Sequence, residues 1–110
     1  MSSPDALIKQ ALMTVCKNVS RLYYKGKAST FITFQLVTGS EVHHTDDDNE
    51  GREYSYRFDI YSKKDYTELV HQSIAALKAV GFYGAYIDPE VYENDTGYYH
   101  IPVEIKYFSY

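Results

Sequence analysis

Two stretches of this sequence alternate apolar and polar residues with a period of two, and that pattern constrains the fold more than any other feature. From Arg52 to Ser62, Tyr54, Tyr56, Phe58 and Ile60 share one side while Ser55, Arg57 and Asp59 share the other. Further on, Tyr99, Ile101, Val103, Ile105 and Tyr107 alternate with His100, Pro102, Glu104 and Lys106. Successive strand side chains point to opposite faces, so each stretch reads as a strand with one buried face. Thr30 to Thr38 repeats the pattern, with Ile32, Phe34 and Leu36 set against Thr33, Gln35 and Val37.

Helical spacing occupies two other stretches. Ser2 or Ser3, Pro4 and Asp5 make a helix start, because a serine hydroxyl caps free N–H groups, proline fits the first turn and an acid complements the dipole. Ile8, Leu12, Val15 and Val19 then predict one helix running to about Val19, with Ala11 and Cys16 beside the stripe. Ser62 and Asp65 have a relaxed capping-box spacing, Tyr66, Leu69, Val70, Ile74, Leu77 and Val80 form a second stripe, and Gly81 supplies the stop.

The remaining segments read as connections. Arg21 to Ser29 is a basic aromatic connector in which Gly26 permits a turn. Gly39 to Gly51 carries His43, His44, Asp46, Asp47, Asp48 and Glu50, and its polarity and like charge predict a long, mobile hairpin loop, about residues 40–52. Phe82 to Tyr92 is a third extended segment broken by Gly84 and Pro89, and Asn94 to Gly97 forms a turn before the last strand. The expected fold is α+β, with two helices packed on one face of a mainly antiparallel sheet of about four strands, in the order α-β-β-α-β-β. At 110 residues, 45% apolar and 24% charged, residues 1–110 make one domain. The two halves share this architecture without a visible sequence repeat.

Charge and motif content narrow the function. Lys and Arg number 11 against 15 Asp and Glu, a net charge of −4, which argues against a protein whose task is to neutralise nucleic-acid phosphates or to bind membranes by charge. Cys16 is the only cysteine, so neither an intrachain disulfide nor a cysteine metal framework is available, and a reducing cytoplasm suits the chain. No stretch approaches the roughly 18 apolar residues of a membrane helix, and no basic-then-apolar leader opens the sequence. Nucleophile-elbow, dinucleotide and phosphate-loop motifs are missing, which predicts a protein that is not an enzyme and takes no cofactor.

Several residues nevertheless carry chemistry. His43, His44, Asp46, Asp47, Asp48 and Glu50 are types that ligate divalent cations, and a small metal-dependent hydrolase would use such a set. Their spacing within one polar loop lacks a calcium-hand pattern and favours a solvated acidic loop, leaving them as a candidate assembly loop and not a metal site. His71 and His100 lack a surrounding motif and read as surface or packing histidines, and Cys16 as a small buried hydrophobe. The basic connector and the acidic stretch of Asp88, Glu90, Glu93 and Asp95 make the chain dipolar, which suits head-to-tail contact between identical subunits. Thirteen tyrosines without a tryptophan exceed what one small core requires, so some rings are expected at a partner interface.

A resemblance joins these readings. The N-terminal helix, Tyr24-Lys25-Gly26, the strand Thr30-Phe31-Ile32-Thr33-Phe34-Gln35, the strand ending Phe58-Asp59-Ile60-Tyr61-Ser62-Lys63, Asp65-Tyr66 with Leu69-Val70, and Gly81-Phe82 together resemble the tail-completion proteins of long-tailed phages and related prophages, also called tail terminators or tail-to-head joining proteins. The resemblance spans about residues 5 to 108. It implies a structural virion protein, without enzyme activity, that forms a six-membered ring on the last ring of the tail tube. There it would end tube polymerisation and offer a surface to the head connector, at the virion tail or neck, after assembly in the bacterial cytoplasm. DNA would pass through the lumen without specific binding, and an acidic loop facing that lumen would repel its phosphates. A head–tail adaptor of the same neck is the neighbouring alternative, and a sheet-edge peptide binder a more distant one.

Overall fold

The computed structural model of the chain describes residues 3–43 and 50–109. Helix α1 (Pro4–Met13) starts where the sequence predicts, with the Ser3 side chain accepting a hydrogen bond from the Ala6 backbone N–H at 3.2 Å. It stops six residues before Val19. Thr14 folds its hydroxyl back onto the Ala11 carbonyl at 2.6 Å, and the chain leaves the helix to form a short strand, β1 (Val19–Arg21). Val19 is buried all the same. A valine four residues beyond Val15 reaches the core by either route, so helical spacing alone does not distinguish them.

The long strands are β2 (Thr30–His43) and β3 (Glu50–Ser62), followed by α2 (Thr67–Ala79), β4 (Tyr83–Ile87), β5 (Val91–Tyr92) and β6 (Tyr99–Ser109). One sheet contains all six strands in the path β1-β2-β3-β6-β4, with β5 also on β6. The expected sheet of about four strands in the order α-β-β-α-β-β is therefore wrong. The sheet is mixed, because β1 runs parallel to β2 while the other pairs are antiparallel. The extra strands come from the tail of the first helical stripe, which becomes β1, and from the third extended segment, which splits around Pro89 into β4 and β5. Pro89 lacks the N–H that a continuous edge would need.

The β2–β3 ladder also runs further than the apolar alternation, pairing Ser40 with Glu53 and reaching His43 opposite Glu50. The period-two signal fails there because Gly39 to His43 has no apolar alternation in the sequence, whereas backbone pairing needs none. A bulge between Leu36 and Thr38 shifts the register.

One row of paired residues crosses the whole sheet: Arg21, Phe34, Phe58, Val103 and Ile87, on β1, β2, β3, β6 and β4 in turn. On the helix side, Ile32, Phe34, Tyr56, Phe58, Ile60, Ile101, Val103 and Ile105 form the sheet's part of the core. Ile8 and Leu12 of α1, and Val70 and Leu77 of α2, cover them, with the fully buried Ser73 among the α2 contacts.

Both ends of α2 have a local chemical cause. The Asp65 carboxylate, and not Ser62, accepts from the Thr67 N–H at 3.0 Å, while the Ser62 hydroxyl serves the Lys64 N–H at 3.1 Å and the Thr30 hydroxyl. At the far end Gly81 takes φ 105°. Gly81 N–H donates to the Lys78 carbonyl and Phe82 N–H to the Leu77 carbonyl, a Schellman motif that places Phe82 in the core beside Leu77. Phe58 is fully buried at the centre of the sheet, so Phe58→Ala is expected to cost about 3–5 kcal/mol, read as a lowered urea midpoint with an unchanged slope.

Candidate assembly surface

The face of the sheet without helices is closed by rings and charges. Phe31, Tyr61 and His100 stand side by side on β2, β3 and β6 because the register pairs Phe31 with Tyr61 and Tyr61 with His100. Phe31 stacks on Tyr61 at 4.7 Å and Tyr61 on His100 at 4.2 Å. Tyr24 extends the stack onto Phe31 at 4.3 Å, and Tyr98 meets Phe31 edge-on at 5.2 Å with Lys63 above its ring. A Cβ at Gly26 would collide with the Tyr24 phenol, so the connector's glycine serves a close approach to this ring. The basic aromatic connector is thus partly a lid on the sheet. Several of the surplus tyrosines cover the sheet here.

Beside the stack lies a charge network that individual residues did not reveal. Arg57 Nε lies 2.8 Å from Asp59 Oδ1, and His100 sits between acids, with Nε2 3.5 Å from Asp59 and Nδ1 3.8 Å from Glu93. Burial opposes ionisation of Asp59, but the nearby His100 ring and the hydrogen bond from Arg57 outweigh it and hold the carboxyl below its ordinary value. His100 carries no motif in the sequence, and only the strand register brings it to Asp59. The Tyr56 hydroxyl makes a second polar tie, donating to Asp5 at 2.6 Å and fixing the start of α1 to β3. Burial, and then that bond, push the Tyr56 phenol far above its ordinary value.

The candidate loop fares differently. His43 and Glu50 are the last Cα partners of the β2–β3 ladder. His44, Asp46, Asp47 and Asp48 lie outside the described residues, and with them the expectation of a mobile loop. Among the described residues no group of three or more His, Cys, Asp and Glu is placed to hold a metal. His71 is exposed on α2, beside a shallow cleft of about 250 Å³ floored by Val70 and Ile101. Cys16 is half-buried, with its thiol 3.7 Å from the Asn18 carbonyl.

What the sequence did not indicate is where the sheet stays open. Strand β1 covers β2 only from Ile32 to Phe34, and no strand among the described residues pairs with β2 on that side beyond Phe34. The cause is a tight turn at Leu22. Its φ is 71°, its N–H donates to Phe34 O, and Tyr23 N–H donates to Arg21 O at 2.8 Å, an i to i+2 turn of the rare positive-φ kind. This turn swings the chain off the edge and leaves Leu22 itself 55% exposed. At the opposite edge β4 has no outer partner among the described strands and shows Tyr86, 62% exposed, and Ile87 to solvent.

Two outcomes follow. Asp59 ionises more readily in the folded chain, so its contribution to stability is complete above its ordinary pKa of 3.8 and is lost as the pH falls through the lowered native value. Asp59→Asn is therefore expected to lower stability at neutral pH and to flatten the acid limb of a plot of unfolding free energy against pH. Leu22→Gly relieves a left-handed conformation that costs an L-residue about 1–2 kcal/mol, and is expected to raise the urea midpoint.

No family model and no curated protein matches the chain. Among solved structures, its fold is similar to that of a chain in the virion of a native gene transfer agent particle, with a TM-score of 0.56 and 11% sequence identity over 96% of this chain and 93% of that one. At that identity the likeness is one of fold.

Proposed function

We propose that this chain is a structural subunit of a phage-like particle that caps the tail tube, ends its polymerisation and provides the surface for head–tail joining. The observation that carries the reading is the fold likeness to a virion chain over nearly the full length of both chains. The scattered sequence resemblance to tail-completion proteins supports the finer position at the tail terminus. Two bare sheet edges on opposite sides of one small subunit suit an assembly component, since such edges are usually blunted in chains that remain alone. Its partners would be further copies of itself in a ring, likened to the six-membered rings of tail completion, the tube protein below and the head connector above. The mechanism is steric and adhesive: the ring covers the surface on which the next tube subunit would land. It needs no catalytic group and no cofactor. DNA would traverse the lumen without sequence-specific contact.

Electron microscopy of particles produced by the source phage or prophage with this gene deleted tests the proposal. Filled heads beside detached tails of irregular or excessive length are the expected result. Detached tails of uniform normal length would place the protein at the head–tail adaptor level instead, and normal joined particles would overturn a structural role.

A further inference from the structure

The uncovered part of β2, Gln35–His43, contains one charged residue, Glu41, and neither lysine nor proline. Natural edge strands are commonly protected by lysine, proline, inward-pointing charge or a bulge; of these this one has only the bulge at Val37, which is 52% exposed with Leu36 beside it. Strand β4, Tyr83–Ile87, is also free of charge and proline.

The register makes these two edges a matched pair. Tyr83 lies level with Thr38 through Lys106 and Ser55, and Ile87 lies level with Phe34 through Val103 and Phe58. Strand β4 therefore occupies the same height on one side of the sheet as the start of the bare segment on the other. Directions match as well. Three antiparallel steps from β2 to β4 leave them antiparallel, so a copy displaced sideways brings its β2 antiparallel to the first copy's β4. In that arrangement β4 fills the slot beside β2 that β1 vacates after Arg21. The turn at Leu22 clears the slot, in which Tyr86 comes level with Gln35 and Tyr83 with Thr38.

Charge complementarity selects the same occupant. Beside β1 the connector carries Lys25 and Lys27, while the β4–β5 edge carries Asp88, Glu90 and Glu93; Arg21 is held by its own Asp5 at 3.8 Å. Asp88 also crowds Glu104, whose carboxyl is raised above its ordinary value by hydrogen bonding and repulsion from Asp88. An incoming ammonium group would relieve that crowding.

We propose that β2 of one subunit pairs through Gln35–Thr38 with β4 of a second copy of this chain, continuing the sheet from subunit to subunit. The contact is heterologous, so each subunit keeps one edge of each kind, and a suitable rotation closes the series into a ring. The inference rests on the ring reading for its setting, and supplies the surfaces by which neighbours recognise each other.

The test mixes two single variants in a Cys16→Ala background, Val37→Cys and Tyr86→Cys, both at exposed positions, and treats concentrated protein with a short bismaleimide. The expected product is a cross-linked dimer in the mixture and none from either variant alone. Lys25→Glu with Lys27→Glu in the Val37→Cys partner should lower its yield about fivefold. Absence of the mixed dimer overturns the proposal. Dimers from Val37→Cys alone would also overturn it, by showing like edges paired. These results are independent of the deletion phenotype: normal joined particles would remove the tail position while leaving a mixed dimer intact, and detached tails without a mixed dimer would keep the tail position and remove this interface.

Discussion

Double-sided pairing of β3 is the constraint on which the rest of the structure depends. From Arg52 to Ser62 every residue of β3 has a partner on β6 and another on β2. Its alternate side chains then have no freedom of direction. Tyr56, Phe58 and Ile60 must enter the helix-covered core, while Arg57, Asp59 and Tyr61 must emerge on the other face. A slip of one residue would exchange the two sets and bury a guanidinium and a carboxylate beneath the helices, which is why the register is so firmly specified.

The bare face shows how a small sheet can do without a second layer of helices. Rings from four different segments cover the Phe31 end, and the Arg57–Asp59–His100 cluster occupies the middle. Stacked rings exclude water from apolar atoms while their hydroxyls remain satisfied, as Tyr98 does by donating to the Ala28 carbonyl at 2.7 Å. The tyrosine-rich composition is thus a packing solution for an uncovered sheet face, with rings such as Tyr86 left over for solvent or a neighbour.

Legibility in the sequence followed the physics of each segment. The alternations around Phe58 and Val103 and the glycine stop at Gly81 were readable because burial and a positive φ leave strong local signatures. Val19 reads as helical because a core valine at helical spacing and a core valine in a neighbouring strand look the same. Residues 40–43 and 50–52 read as a loop because their sequence has no hydrophobic period. The His100–Asp59 contact was invisible for another reason: the two residues are far apart in the chain and meet only through strand register. The open edges lie beyond sequence reading altogether, since they are set by what fails to pair with β2 and β4.

The brevity of β1 acts as a length setting. Each residue of strand spans about 3.3 Å, so the nine residues of β2 beyond Phe34 present roughly 30 Å of unpaired backbone. The turn at Leu22 fixes that figure: moving it a few positions later would let the chain satisfy its own edge. Solubility of the lone subunit and appetite for a neighbour are therefore traded against each other through the position of one residue, without any change to the core.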